Sequence, residues 1–391
     1  MQLIVHVDGV LHGFLIQWEI VITIPHRLPA LDGLRAVAAL GIIVTHVSFQ
    51  TGTGWGIAER FDYFVAVFFA LSAFVLWRRR DHLEPRSYYL KRALRILPAY
   101  LVCVVTVIML LPDAHFITGQ QVLANLTLTQ VYFPDGLAPG LTHLWSLCIE
   151  VAFYLVLPFL RGGPRVIAGA AVLSLGWAFL PPVADYDGGI NSQIWPPAYT
   201  LWFAVGMLAA EFEGRVPRWL ARAFRVRWAW WLVALAMTWL GSRGTRGLAH
   251  PDPAEFALRV TIGGVFAAAV VVPYALAPPG PDHWLNSEPM QALGRWSYSI
   301  FLWHVAVLSV VFPVLGVDLF SGLTIDFLTV LAATVALTIP VAALSYEMVE
   351  EPALRWRPRI TRWLTRNRPH NQPTATEHAT KTPQPGRPSP R

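Results

Sequence analysis

The stretch LDGLRAVAALGIIVTHVSF, residues 31–49, decides the fold class of this chain. It is apolar enough for a membrane-spanning helix, yet it contains Arg35 and, eleven positions later, His46. At about 3.6 residues per turn this spacing places both side chains on one helix face, about 16 Å apart along the axis. A charged group at the centre of a span costs about 2.5 to 3.5 kcal/mol, so such residues usually face a cavity. The pair is a candidate for catalysis. A structural interpretation fits equally well, in which Asp32 caps the helix, Arg35 lies at the membrane interface and His46 is a core histidine.

The composition is that of an integral membrane protein. Of the 391 residues, 55% are hydrophobic and 14% charged, against about 25% charged residues in soluble domains. The net charge of +6 comes from an arginine bias that we attribute to genome composition, so it indicates no nucleic-acid partner. The two cysteines, Cys103 and Cys148, lie in apolar stretches, and we expect neither a disulfide framework nor a metal site.

Apolar stretches of spanning length predict about ten transmembrane helices in a single bundle, an all-α membrane protein. The predicted spans are 33–50, 61–77, 95–112, 141–160, 165–182, 195–212, 228–242, 258–277, 296–315 and 324–346. Residues 120–134 are interpreted as a re-entrant or surface helix. Residues 1–27 fit neither a cleaved signal peptide nor a full span and are interpreted as an N-terminal extension.

The distribution of basic residues predicts the orientation in the membrane. The connection 78–95 contains seven Lys or Arg residues, whereas residues 96–160 contain none. Because short cytoplasmic loops are enriched in Lys and Arg, we expect this connection and both termini to be cytoplasmic. The Pro-rich segment 365–391 predicts a disordered cytoplasmic tail. The expected location is the inner or plasma membrane of a bacterium.

Two further groups of polar residues interrupt the apolar stretches. Arg92 and Arg95 share one face of a helix, and two guanidinium groups at this spacing suit a phosphate ligand, although a simple positive-inside anchor is also open. In THLWSLCIEVAFYLVLP, polar residues recur every three or four positions and so share a sector of the helix. These residues are His143, Ser146, Glu150 and Tyr154.

Glu150 is the most informative member of this stripe. A carboxylate in mid-membrane is suited to orienting or charge-balancing an imidazole, and its alternative role is a structural hydrogen bond to another helix. Ser146 and Tyr154 are interpreted first as groups for interhelical hydrogen bonds.

Six blocks of the sequence, in order, resemble the recurrent blocks of the membrane-bound acyltransferase-3 family, over about residues 28 to 355. The blocks are LPALDGLRAVAALGIIVTH, VFFALSAFVL, LKRALRILPAY, HLWSLCIEVAFYLVLP, GRWSYSIFLWHV and SYEMVEEP. The resemblance implies transfer of an acyl group, usually acetyl from acetyl-CoA, to a hydroxyl of a sugar, a glycan or a glycosylated small molecule. It implies no permanently bound cofactor, with acyl-CoA as a co-substrate.

The resemblance also assigns residues. Matching the family's blocks, His46 and Glu150 are the expected catalytic residues, and the expected acyl-CoA ligands are Arg35, Arg92 and Arg95. Secondary candidates are His304, Ser146, Tyr154 and Ser297.

In the expected mechanism His46, oriented by Glu150, removes the proton of an acceptor hydroxyl that attacks the thioester, or else carries the acyl group itself. The preferred acceptor is a sugar of an envelope polysaccharide or a lipid-linked glycan. A glycosylated metabolite such as a macrolide is the alternative acceptor, and a proton-coupled transporter or flippase is the alternative from another functional class.

Overall fold

A computed structural model describes residues 2–11, 14–23, 28–112, 116–186, 188–245 and 250–356. Two antiparallel strands open the chain, β1 (Gln2–Leu11) and β2 (Phe14–Thr23), with Gln2 opposite Thr23. This hairpin lies in the N-terminal extension, for which no strands were expected from the sequence; its many Ile and Val residues favour extended backbone. The predicted disordered tail 365–391 lies outside the described residues.

From residue 28 onward the described chain is helical. The helices are α1 (Pro29–Thr51), α2 (Gly56–Glu59), α3 (Phe64–Trp77), α4 (Pro85–Leu110), α5 (Gly119–Leu126), α6 (Trp145–Val156), α7 (Pro164–Ser174), α8 (Pro181–Ala184), α9 (Thr200–Phe212), α10 (Arg218–Arg225), α11 (Arg227–Gly241), α12 (Pro253–Leu276), α13 (Glu288–Leu315), α14 (Thr324–Ser345) and α15 (Glu351–Arg355).

Within the described ranges, seven helical segments are long and apolar enough to cross a membrane. They are Pro29–Thr51, Gly56–Trp77, Pro85–Leu110, Thr142–Phe159, Pro253–Leu276, Glu288–Leu315 and Thr324–Arg355. The other three predicted spans correspond to α7, α9 and α11, which have 11, 13 and 15 residues. At 1.5 Å per residue, a helix of 13 residues rises about 20 Å, less than the roughly 30 Å of a bilayer core. The predicted count of ten is therefore not confirmed.

Segment 120–134 folds as the short helix α5 followed by a 3₁₀ turn, Gln130–Tyr132. Thr118 caps α5 in a capping box with Gln121. The buried amide of Asn125 donates to the carbonyl oxygens of Gln121 and Gly136. This piece is too short to span a bilayer and packs against α4.

Helix α1 lies at the centre of the bundle and packs against α3, α13 and α14. Helix α3 in turn packs closely against α9, because Gly206 has no side chain at their crossing. A Cβ atom at this position would lie 1.9 Å from the carbonyl oxygen of Ala70. The close approach fixes the position of α3, which carries one wall of the cavity described below.

The last transmembrane helix ends in an unusual turn. After Ser345 the chain forms one π-helical turn, Tyr346–Glu350, before α15 begins. A π-helical turn holds one residue more than an α-helical turn and is frequent at functional sites. It packs against α4 and α13, and it directs the side chain of Glu350 into the protein, where only 1% of its surface is exposed.

Candidate active site

An internal cavity of about 340 Å³ opens between α1, α3, α4, α6, α13 and α15. Seven residues singled out from the sequence line it: Arg35, Arg92, Arg95, Ser146, Glu150, Tyr154 and Ser297. These residues come from four different helices, so the fold brings together groups that are up to 262 positions apart in the chain. We call this space the arginine cavity.

The three arginines of the cavity differ in their partners. The Nη1 atom of Arg35 donates to the Asp32 carboxylate at 2.7 Å, and that of Arg95 donates to the Glu350 carboxylate at 2.8 Å. Arg92 forms no hydrogen bond or ion pair with any residue that the structure describes, and its Nε atom is buried without a partner. Its guanidinium carbon lies 5.6 Å from the centre of the Tyr154 ring. Arg92 therefore brings into the cavity a positive charge that has no ion-pair partner among the described residues.

Glu350 was not identified as a site residue from the sequence. Its carboxylate accepts hydrogen bonds from Arg95 and from the hydroxyl of Ser299, which lies on α13. The π-helical turn connects this carboxylate to α4 and α13 together. Glu350 could have been identified from the sequence as an acidic residue at the end of a long apolar helix, within the block SYEMVEEP.

Glu150 is held by two hydroxyl groups. The hydroxyl of Tyr154 donates to Oε1 of Glu150 at 2.5 Å, and the hydroxyl of Ser72 donates to the same oxygen. Among the described residues no hydrogen bond joins Glu150 to His46, so the expected orienting contact is not formed in this structure. The reason is the course of α6, since the residue of this segment that approaches His46 is His143, seven positions before Glu150.

Three imidazole rings lie together beyond one end of the arginine cavity. The ring centre of His304 lies 5.1 Å from that of His46 and 4.7 Å from that of His143. The ring centres of His46 and His143 are 6.1 Å apart. We call this group the histidine cluster. Its members come from α1, from the 3₁₀ turn before α6 and from α13, and the sequence pattern indicated His143 only as part of a polar stripe.

The cavity and the histidine cluster are adjacent. Ser146 and Phe301 line the cavity, and His143 and His304 are each three positions away from one of them in the same segment, which is about one helical turn. The Phe301 ring centre lies 5.2 Å from that of His143 and 6.0 Å from that of His304. Phe301 thus stands between the cavity and the imidazoles.

Hydrogen bonds to the backbone determine which nitrogens of two imidazoles carry protons. His304 Nδ1 lies 2.8 Å from the carbonyl oxygen of Phe301, and His143 Nε2 lies 3.2 Å from that of Leu302. A nitrogen that faces a carbonyl oxygen must donate, so each neutral ring has its N–H there. The other nitrogens, Nε2 of His304 and Nδ1 of His143, are buried without a hydrogen-bond partner.

His46 differs from its two neighbours. It is half-buried, and with the residues described here it forms ring contacts but no hydrogen bond. Neither of its nitrogens is therefore committed to a partner among the described residues, and the unprotonated one is available for proton transfer or acylation. Although three imidazoles lie together, no group of three His, Cys, Asp or Glu side chains in the described part of the chain is arranged to hold a metal ion.

The sequence matches a family model described as an acyltransferase domain over residues 28–347, most of the chain. The protein belongs to the acyltransferase-3 family, and together with its apolar helices this makes it a multi-pass bacterial membrane protein.

Among similar proteins, the peptidoglycan O-acetyltransferase OatA of Listeria monocytogenes is 24% identical over 387 residues, covering 83% of this chain and 55% of its own length. The O-acetyltransferase OatA of Staphylococcus aureus is 26% identical over 321 residues, covering 73% of this chain and 51% of its own length. The chain thus spans about half the length of these curated relatives. No solved structure matches it.

Proposed function

We propose that this protein is a membrane-embedded O-acyltransferase that moves an acetyl group from acetyl-CoA to a sugar hydroxyl of a cell-envelope glycan. The observation that carries the proposal is the arrangement of the arginine cavity, which has Arg92 without an ion-pair partner in its wall and the histidine cluster about one helical turn from the lining residues Ser146 and Phe301. Acyl-CoA has the matching layout, with phosphates at one end and a thioester at the end of a long flexible arm.

The arginines bind the donor. Arg92 pairs with a CoA phosphate, because a guanidinium holds two phosphate oxygens and this one forms no ion pair with any described residue. Arg35 and Arg95 add positive charge to the lining of the same cavity, although each is partly neutralised by its own carboxylate. The pantetheine arm then extends through the cavity towards Phe301.

Glu150 acts on the donor rather than on His46 in this proposal. Its carboxylate lies in the cavity wall with the hydroxyls of Ser72 and Tyr154. Pantetheine carries two amide N–H groups, and an ionised carboxylate accepts hydrogen bonds from such donors. Glu150 therefore guides the arm so that the thioester reaches the histidine cluster.

The chemistry is assigned to His46. Its unprotonated nitrogen takes the proton of the acceptor hydroxyl while that oxygen attacks the thioester carbonyl. The new C–O bond forms, the C–S bond breaks, and the imidazolium returns the proton to the CoA thiolate. In the variant with an acyl-histidine, His46 attacks the thioester carbonyl and the CoA thiolate leaves with the ring proton. The sugar hydroxyl then attacks the acyl carbonyl carbon, the C–N bond breaks, and the freed imidazole takes the hydroxyl proton. The names of the relatives favour a peptidoglycan sugar as acceptor over a glycosylated metabolite.

Thiol release from acetyl-CoA by purified protein in lipid nanodiscs tests the proposal, with peptidoglycan fragments, lipid-linked sugars and macrolide glycosides as separate acceptors. We expect acceptor-dependent release that His46→Ala abolishes at equal monodispersity. Absence of acetyl-CoA binding and of turnover in well-folded wild-type protein would contradict an acyltransferase and favour transport of an unmodified solute.

A further inference from the structure

After the hydrogen bonds to the backbone are counted, the histidine cluster has more acceptor nitrogens than N–H donors left. The N–H groups of His143 and His304 are both committed to backbone carbonyl oxygens, and both rings have a second nitrogen that is buried without a partner. Two unprotonated nitrogens cannot bond to each other. Among these three rings, the one N–H that is not committed to the backbone belongs to His46.

The distances favour His304 as the partner of that N–H. An imidazole nitrogen lies about 1.2 Å from its ring centre, so an N–H···N bond of about 2.9 Å joins rings whose centres are at most about 5.3 Å apart. The His46–His304 distance of 5.1 Å permits this bond once the His46 ring turns its N–H towards the unpartnered Nε2 of His304, whereas the His46–His143 distance of 6.1 Å exceeds the limit.

His304 is also rigidly held. Its Nδ1 atom faces two carbonyl oxygens, those of Phe301 at 2.8 Å and of Ile300 at 3.2 Å, and 1% of the residue is exposed. A ring fixed in this way presents its Nε2 lone pair in one direction. Buried polar atoms in native proteins almost always have a partner, and an exception calls for an explanation.

We infer that Nε2 of His304 accepts the N–H of His46 and thereby holds His46 in a single tautomer, with its other nitrogen unprotonated towards the reacting groups. This inference rests on the proposed function. His304 is then a positioning residue that takes the place given to a carboxylate in other base-activated sites.

The hydrogen bond from His46 to His304 is kept throughout the reaction. When His46 takes the proton of the acceptor hydroxyl it becomes an imidazolium with two N–H groups. One remains directed at His304, and the other delivers its proton to the departing CoA thiolate. His304 neither gains nor loses a proton at any step. It keeps its hydrogen bond to His46 and takes no part in the proton transfer.

Substitutions at position 304 distinguish this role from packing. His304→Gln places an amide oxygen close to the position of Nε2, His304→Asn places it nearer the main chain, and His304→Leu supplies no acceptor. We expect the Leu and Asn variants to lose about 100-fold or more in kcat, as for loss of general acid–base assistance, with the KM for acetyl-CoA unchanged. His304→Gln is expected to retain activity within about tenfold of the wild type.

His143 provides the matched control, since it has the same residue type, the same burial and an equally unpartnered nitrogen. We expect His143→Leu to lower kcat less than about tenfold.

Three results would overturn the inference. His304→Leu could retain the wild-type kcat, or His304→Gln and His304→Leu could lose kcat equally. The third is a loss of kcat of about 100-fold in His143→Leu and not in His304→Leu. Acetyl-CoA affinity and monodispersity confirm that each variant is folded. If the wild type itself shows no transfer dependent on His46, the proposed function fails and not the assignment of His304.

Discussion

The Nη1 atom of Arg95 on α4 donates to Oε2 of Glu350 at 2.8 Å, and this ion pair joins the middle of one transmembrane segment to the end of another. The carboxylate is 1% exposed and the arginine side chain 29% exposed. The pair therefore stabilises the cavity wall and also limits how much of the positive charge of Arg95 reaches a ligand.

Glu350→Ala is expected to lower the free energy of unfolding by about 3 kcal/mol, because removing one partner of a buried ion pair leaves the other uncompensated. The neighbouring Glu351 is a matched control, since it pairs at 2.9 Å with Arg355, which is 74% exposed. Glu351→Ala should cost less than about 1 kcal/mol. Thermal unfolding of both variants in the same detergent checks the difference, and equal losses would contradict a structural role for the Arg95–Glu350 pair.

Arg92→Ala is expected to raise the KM for acetyl-CoA by about tenfold or more, because a hydrogen bond to a charged group contributes about 1.5 to 3 kcal/mol. Arg92→Lys should recover part of this loss, since it retains the charge without the two-pronged geometry. Arg161→Ala is the control, because Arg161 donates to backbone carbonyl oxygens outside the cavity lining. An unchanged KM in Arg92→Ala would remove Arg92 from the donor site.

Glu150→Gln separates two roles for this carboxylate. If Glu150 guides the pantetheine arm, the variant should raise the KM for acetyl-CoA with kcat within about tenfold of the wild type. If it assists His46, kcat should fall about 100-fold with an unchanged KM. Steady-state kinetics with Tyr154→Phe as a companion variant checks this, since Tyr154 donates to the same carboxylate oxygen at 2.5 Å.

Gly206→Ala is expected to destabilise the bundle by about 1 to 3 kcal/mol, the usual cost of overpacking, because its Cβ would lie 1.9 Å from the Ala70 carbonyl oxygen. A Cβ atom at Gly169 on α7 would meet nothing within 4 Å, so Gly169→Ala should be neutral or stabilise by up to about 1 kcal/mol. Thermal midpoints and the monodisperse fraction compare the two, and equal behaviour would show that α3 and α9 can separate at little cost.

Local patterns in the sequence predicted a large part of this molecule. The apolar stretches located the long helices, because a span must contain about 20 apolar residues whatever it packs against. The spacing of Ser146, Glu150 and Tyr154 predicted a shared helix face, and all three line the arginine cavity. Both results depend only on neighbours within one helix.

The features that the sequence did not predict depend on contacts, side-chain rotations and helix ends that hydrophobic periodicity does not encode. Glu150 is bonded by Ser72 from α3, and no periodicity within α6 indicates that partner. The role of His304 depends on which of its nitrogens faces the carbonyl oxygen of Phe301, which is a matter of side-chain rotation. Two of the three shorter helices, α7 and α9, were predicted too long, because hydropathy does not distinguish an α-helix from the apolar 3₁₀ turns that adjoin it, Leu175–Phe179 and Pro196–Tyr199.

The π-helical turn Tyr346–Glu350 makes the position of Glu350 depend on chain length. A π-helical turn takes up one extra residue while the helix on either side keeps its register. The side chains within the turn are thereby displaced relative to both flanking helices, and Glu350 is the member that reaches Arg95. The extra residue of this turn is thus inherited together with the two charges, and its deletion should weaken the ion pair although both charged side chains remain in the sequence.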